Sequence, residues 1–276
     1  MTERAMYFGR GGNLLGLLST PDDPLPGAPA VVLLNAGLLH RVGPNRMNVE
    51  LARRLSNEGI TSLRFDMSGI GDSEIVDASL LYFQRAIQDI VDSLDTLEKV
   101  TGIGEFVVIG LCTGAFNALG AARQDERVKG IVLLDGYSYP TLKSQLKHYS
   151  RQALKPEKWR SAAEGLIGAR SDPGDKPRDM AVFRNEEMPK ERFASEMSRL
   201  LDRNLRMMLV YTGLGPLSYN YREQLQDALP GLPIDDEVRV VYYPGADHTF
   251  TIKGNREKLY DAIQSWLSTE FAERVS

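Results

Sequence analysis

The sequence of 276 residues predicts an α/β fold, a mostly parallel sheet with helices packed on both faces. Three observations carry the prediction. Short apolar runs alternate along the chain with longer stretches whose apolar residues recur at helical spacing. The runs are near-continuous in Val, Ile and Leu, as in strands buried on both faces, and do not alternate with polar residues. The connections between runs and helices are short, which favours successive βαβ crossovers. Length alone allows one large domain or two modest ones.

The chain opens with an expected hairpin: Ala5 to Phe8, a Gly-Arg-Gly-Gly turn, then Leu14 to Leu18. A Pro-rich connection from Pro21 to Pro29 leads to the buried run Ala30 to Leu34. Val49, Leu51, Ala52 and Leu55 give helical periodicity to 46–59, which ends on Gly59 as helices often do. Ile60 to Phe65 is the next strand, followed by a glycine-rich turn. Leu80 to Val100 is a long amphipathic helix, with Ile87, Ile90, Val91, Leu94 and Leu97 on one face. A strand from Phe106 to Ile109, a helix to about Gln124 and a strand from Val128 to Leu134 follow. Arg206 to Tyr211 and Val238 to Tyr243 are further strands, and Leu259 to Phe271 is a closing helix whose Ile263, Trp266 and Leu267 face the sheet.

The stretch from Tyr137 to about Asn204 departs from this rhythm. It is polar, helical in character and strand-free, and contains Tyr137, Tyr139, Tyr149, Trp159, Phe183 and Phe193. An unstructured insert of that length is unusual in a compact domain. The stretch therefore reads as a helical cap, 137–204, over a core formed by 1–136 and 205–276; a small separate structural domain is the alternative.

Composition narrows the function. The chain is 42% hydrophobic and 25% charged, with net charge −4 and interspersed signs. This gives no electrostatic case for nucleic acid or an anionic membrane surface. A single cysteine excludes an intrachain disulfide, and with three histidines it leaves no zinc-type spacing, so neither metal nor cofactor is expected. The polar start lacks a signal-peptide core, and no apolar run approaches the roughly 20 residues that span a bilayer. The expected setting is reduced and cytoplasmic.

The chemistry-bearing residues sit where an open parallel sheet concentrates function, beyond the carboxyl ends of its strands. Val107 to Ala115 reads V-V-I-G-L-C-T-G-A, the shape of a nucleophile elbow with Cys112 at its tip and glycines two residues either side. Thiolate is a strong nucleophile suited to acyl transfer; a small apolar Cys ending a core strand is the plainer alternative. Acyl transfer needs two backbone N–H groups aimed at the developing oxyanion. Thr113, at a helix N-terminus, is one candidate, and Gly37 or Leu38, in the loop after Ala30–Leu34, is the other. Asp66 and Asp72, in R-F-D-M-S-G-I-G-D-S, read as ties for the glycine-rich turn. His248 follows the last strand, where the general base of a Ser…Asp…His order falls; Asp247 beside it reads as a loop anchor. For the acid that orients His248, Asp135 stands at the tip of the strand ending Leu133-Leu134. Asn220, Glu223 or no acid at all are the alternatives.

Together N-A-G-L-L-H-R-V-G-P-N-R, L-A-R-R-L, L-R-F-D-M-S-G-I-G-D-S-E and G-L-C-T-G-A resemble the α/β-hydrolase fold superfamily nearly end to end. More narrowly, they resemble bacterial exosortase-associated hydrolases with a cysteine elbow. The resemblance implies an eight-stranded sheet, a cap inserted after the sixth strand and a nucleophile–acid–histidine triad, with Cys112 as nucleophile and His248 as base. The family's usual acidic position, after the seventh strand, falls near Gly215 here.

The leading expectation is an enzyme that forms an acyl-thioester on Cys112 and passes the acyl group to water, from an ester, thioester or lactone. The substrate is a small acyl molecule, free or linked to a carrier or CoA. His40, Arg41, Tyr137, Tyr139 and Trp159 are candidate substrate contacts, with Arg46 beside Arg41 for an anionic group. An acyltransferase or cyclase using an amine, alcohol or carrier thiol is the second expectation, and a non-catalytic binding protein on the same fold the third. The chain is expected to be a monomer or homodimer.

Overall fold

The computed structural model describes residues 1–153, 188–215, 219–234 and 236–271. Eight strands form one sheet: β1 (Thr2–Phe8), β2 (Leu14–Thr20), β3 (Ala30–Leu33), β4 (Ser62–Phe65), β5 (Phe106–Leu111), β6 (Val128–Leu134), β7 (Arg206–Thr212) and β8 (Val238–Tyr243). Their order is β1-β2-β4-β3-β5-β6-β7-β8. The β1–β2 and β2–β4 pairs are antiparallel, and every pair from β4 to β8 is parallel. Every residue of β3, β4 and β5 is buried; β3 and β5 therefore read as unbroken apolar sequence, whereas β4 also buries Ser62 and Arg64, the latter paired with Glu3.

Two apolar layers account for the helices. On one face, α1 (Met47–Asn57) contributes Leu51, Ala52 and Leu55. It is joined there by α7 (Lys253–Phe271), with Leu259, Ile263, Trp266 and Leu267. On the other face, α2 (Tyr82–Thr101) supplies Ile90, Leu94 and Leu97, and α3 (Thr113–Gln124) supplies Ala118, Leu119 and Ala122. A short helix, α4 (Leu142–Ala153), follows β6; α5 (Lys190–Asp202) and α6 (Gln224–Ala228) flank β7. Gly102, at φ +75°, ends α2 by donating its N–H to the Glu98 carbonyl, the usual left-handed stop.

The closing helix begins at Lys253, earlier than expected, because its first turn, Lys253 to Arg256, is polar and carries no apolar period. The boundary of the expected cap also shifts. Within 137–204, α5 packs on the sheet: Phe193, Met197 and Leu200 are wholly buried in the same core as β6 and β7 residues. One amphipathic helix preceding a strand is a crossover element, so 190–202 groups with the core. Trp159, Phe183 and the Tyr149 side chain lie outside the described residues.

Candidate active site

The β5–α3 turn has the geometry its glycines imply. Cys112 stands at φ +59°, ψ −116° between the strand and the helix, a conformation that costs a non-glycine residue about 1–3 kcal/mol. A Cβ on Gly110 would lie 2.1 Å from the Gly114 carbonyl, and one on Gly114 would lie 2.5 Å from the Asn35 oxygen. Only glycines admit this approach of turn to neighbouring strand. The Cys112 N–H donates to the Leu134 carbonyl at 2.9 Å, tying the elbow to the end of β6, and the thiol is half-buried.

Asp135, the next residue after that carbonyl, is itself in the left-handed region, at φ +44°. Its N–H donates to Val210 O at 2.8 Å, and its buried carboxylate turns toward the β7 end. There Oδ1 accepts the Thr212 N–H at 2.8 Å, and Oδ2 accepts the Thr212 hydroxyl. Oδ2 also lies 2.9 Å from His248 Nδ1. An ionised carboxylate only accepts, so Nδ1 carries the proton and Nε2 is left for the other partner. The Cys112 side chain is the ring's second interaction partner. Burial of the imidazole disfavours its charged form, but its interactions with Asp135 and Cys112 outweigh this and push its pKa up to about 9. The three sequence-predicted residues are thus brought together in the order Cys112–His248–Asp135.

The alternatives for the acid lie elsewhere. Glu223 is exposed and faces Lys143, while Asn220 donates Nδ2 to Ser144 O at 2.8 Å. Gly215 stands against the Asp135 carboxylate: a Cβ there would lie 2.4 Å from Thr212 Oγ1 and 3.0 Å from Asp135 Oδ2. The space beyond β7 is therefore filled by a carboxylate reaching across from β6. Asp247 accepts from Thr249, Thr251 and the Thr251 N–H, holding the loop that presents His248.

The loop after β3 is anchored at several points. Asn35 accepts Met67 N–H at 2.9 Å and donates to Leu39 O at 2.8 Å. Asp66, wholly buried, accepts from the Arg41 N–H, the Arg41 guanidinium and, at 3.2 Å, the Asp72 N–H. Gly37, at φ +57°, donates its N–H to Thr113 Oγ1 at 2.8 Å. Among the described residues the Leu38 N–H and the Thr113 N–H make no hydrogen bond. Of the two candidates for the one loop donor, Gly37 is thus engaged and Leu38 is open.

The expected substrate contacts divide. His40 and Leu38 are exposed on this loop. Arg41 spends its guanidinium on Asp66 and Asp72, so it is a structural ion pair here and not an open anion contact; its neighbours in sequence gave no sign of those partners. Tyr137 is buried between Phe116 and Phe193, at ring distances of 4.7 Å and 4.6 Å. Its ring belongs to the core and not to an open pocket, because α5 packs over it. Tyr139 is half-buried and donates its hydroxyl to Met188 O at 2.9 Å; Trp159 is outside the described residues. Sequence reasoning passed over Thr212 and Asn35. Each is the first polar residue at the end of an apolar strand run, and that is the signal that could have found them.

No helix among the described residues is long and apolar enough to cross a membrane. Among solved structures, the chain is similar to the α/β hydrolase GrgF from Penicillium sp. sh18, at 16% identity and TM-score 0.62 over 99% of this chain and 100% of that one. It is similar to DcsB, solved with a substrate analogue, at 16% identity and TM-score 0.61 over 98% and 100%. Est1E from Butyrivibrio proteoclasticus matches at 17% identity and TM-score 0.60 over 97% and 99%. At these identities the likeness speaks for the fold. No curated protein matches the sequence. The profile of the alpha/beta hydrolase family matches residues 25–274, and with the eight-stranded sheet this establishes that the chain belongs to that family.

Proposed function

We propose that the protein is a cysteine-dependent acyl-transfer enzyme that hydrolyses a small ester, thioester or lactone, with Cys112 as nucleophile, His248 as base and Asp135 as the acid. The observation that carries the reading is the 2.9 Å contact of Asp135 Oδ2 with His248 Nδ1, with Cys112 as the ring's other partner.

The chemistry follows from that order. His248 takes the thiol proton on Nε2, and the sulfur attacks the substrate carbonyl carbon, opening its π bond onto oxygen. The oxyanion is held by the Thr113 and Leu38 N–H groups, the first also favoured by the dipole of α3. Collapse breaks the bond to the leaving group, which departs with the proton from Nε2, and an acyl-thioester remains. Water then gives a proton to Nε2 and attacks the same carbon. The thiol leaves, and the product is the carboxylic acid. Asp135 stays ionised throughout and stabilises the imidazolium.

A cysteine favours a second outcome, because an acyl-thioester stays activated toward an amine, alcohol or carrier thiol. The elbow and loop motifs resemble those of bacterial exosortase-associated hydrolases with a cysteine elbow, and that likeness supports the same reading. A cap drawn from 137–204, less the helix α5, completes the proposal; His40, on the exposed loop, and Tyr139 remain its candidate substrate contacts.

Incubation with p-nitrophenyl acetate, followed by intact mass spectrometry, tests the reading. One acetyl group should be found on Cys112, and Cys112→Ala should abolish it. An acetyl adduct or turnover that survives Cys112→Ala overturns the nucleophile. Adding amine and thiol acceptors then measures transfer against hydrolysis.

A further inference from the structure

Beneath the loop after β3 lies a buried polar chain that the mechanism above does not use. Gly37 N–H donates to Thr113 Oγ1 at 2.8 Å. The Thr113 side chain is in turn a hydrogen-bond partner of the Tyr82 hydroxyl, at the start of α2. Asn117 Nδ2, one turn along α3 from Thr113, donates to that same hydroxyl at 3.2 Å. The hydroxyl also lies 3.8 Å from Met67 Sδ. Thr113, Asn117 and Tyr82 are all buried.

The donor inventory fixes the two ends of the chain. A peptide N–H and an amide NH2 only donate, so Thr113 Oγ1 accepts from Gly37 and the Tyr82 oxygen accepts from Asn117. Between them the two hydroxyls are partners of each other. Thr113 Oγ1 thus offers a lone pair to Gly37 while Tyr82 holds it from behind.

We propose that Thr113 Oγ1, braced by Tyr82, is a positioning group for the oxyanion loop: it draws the Gly37 N–H inward and leaves the Leu38 and Thr113 N–H groups as the two donors for the reacting oxygen. The side chain of Thr113 then does a different task from its own backbone N–H. A glycine is required at 37 because its φ of +57° is the conformation that the inward bond holds. The inference rests on the acyl-transfer reading for its catalytic consequence, but the hydrogen bond itself can be tested apart from it.

The experiment uses the full chain with Thr113→Val, Thr113→Ser and Tyr82→Phe. Hydrogen exchange of peptides covering 35–41 should accelerate in Thr113→Val, stay near the unaltered protein in Thr113→Ser, and accelerate less in Tyr82→Phe. With p-nitrophenyl acetate, the Thr113→Val acylation rate should fall by about tenfold, the value of one positioning hydrogen bond. The KM should hardly move, and Thr113→Ser should recover most of the loss. Unchanged exchange in Thr113→Val overturns the strut, whatever the activity. Faster exchange with an unchanged acylation rate, or a loss confined to KM, overturns its positioning role. If the unaltered protein forms no Cys112 adduct, the acyl-transfer reading fails, and the exchange result alone decides whether the strut exists.

Discussion

Asp135→Asn probes the proposed site most directly. It keeps the shape of the side chain and removes the charge that faces His248. The imidazole titrates at about 9 against an ordinary 6.5, the net of burial pulling down and of Asp135 and Cys112 pushing up. At ~1.36 kcal/mol for each tenfold, that rise is worth roughly 3 kcal/mol of preference for the charged ring. Losing the anion that orients and stabilises the imidazolium should slow Cys112 acylation by roughly tenfold or more at neutral pH. Because His248 acts as the base in its neutral form, the ascending limb of the pH–rate profile should also move from near 9 down toward the ordinary histidine range. Stability should follow the same charge. Because folding raises this pKa, the stabilisation is complete below about 6.5 and is lost as pH climbs through about 9. The melting temperature gap between Asp135→Asn and the unaltered protein should therefore be widest in mild acid and close in alkali. Stopped-flow release of p-nitrophenolate and pH-resolved calorimetry read the two effects. Glu223→Gln, on an exposed side chain facing Lys143, is the control. A rate loss under about threefold for Asp135→Asn, or a larger loss for Glu223→Gln, refutes the assignment.

Gly215→Ala places a methyl 2.4 Å from Thr212 Oγ1 and 3.0 Å from Asp135 Oδ2. It should destabilise by about 1–3 kcal/mol in urea unfolding and slow acylation, by displacing the carboxylate. Asp66→Asn leaves the Arg41 guanidinium short of a buried anion and turns an amide into a site built of donors. A loss of about 2 kcal/mol or more is expected in the same assay. Phe193→Ala tests where the core ends: wholly buried in the sheet's own apolar layer, it should cost about 3–5 kcal/mol, whereas a residue of a detachable cap would cost little and leave the main transition unmoved.

The sheet and its helices were legible because burial writes itself as composition: β3 and β5 are apolar throughout, and α2 carries a clear helical period. The elbow and His248 were legible through local punctuation, since glycines around a lone cysteine and a histidine after the last strand sit at definable places. Asp135 could be picked out because it ends an apolar strand. What could not be read was pairing across distance. Arg41 is separated from Asp66 by a helix and a strand, and no pattern near either residue announces the ion pair. Tyr137 looks like a pocket aromatic in sequence, and only the return of α5 over it makes it core. For the same reason, the bond that engages Gly37 and not Leu38 depends on a threonine far along the chain.

The bond from Cys112 N–H to the Leu134 carbonyl links two residues that stand on adjacent parallel strands, with Asp135 the very next residue along. Cys112 and Asp135, the proposed nucleophile and acid, are therefore tied to one another through neighbouring strand ends, whereas His248 is presented by a separate loop. With Asp135 as the proposed acid, the segment after β7 need supply no carboxylate; the arrangement asks of it a small residue at 215 and the hydroxyl of Thr212.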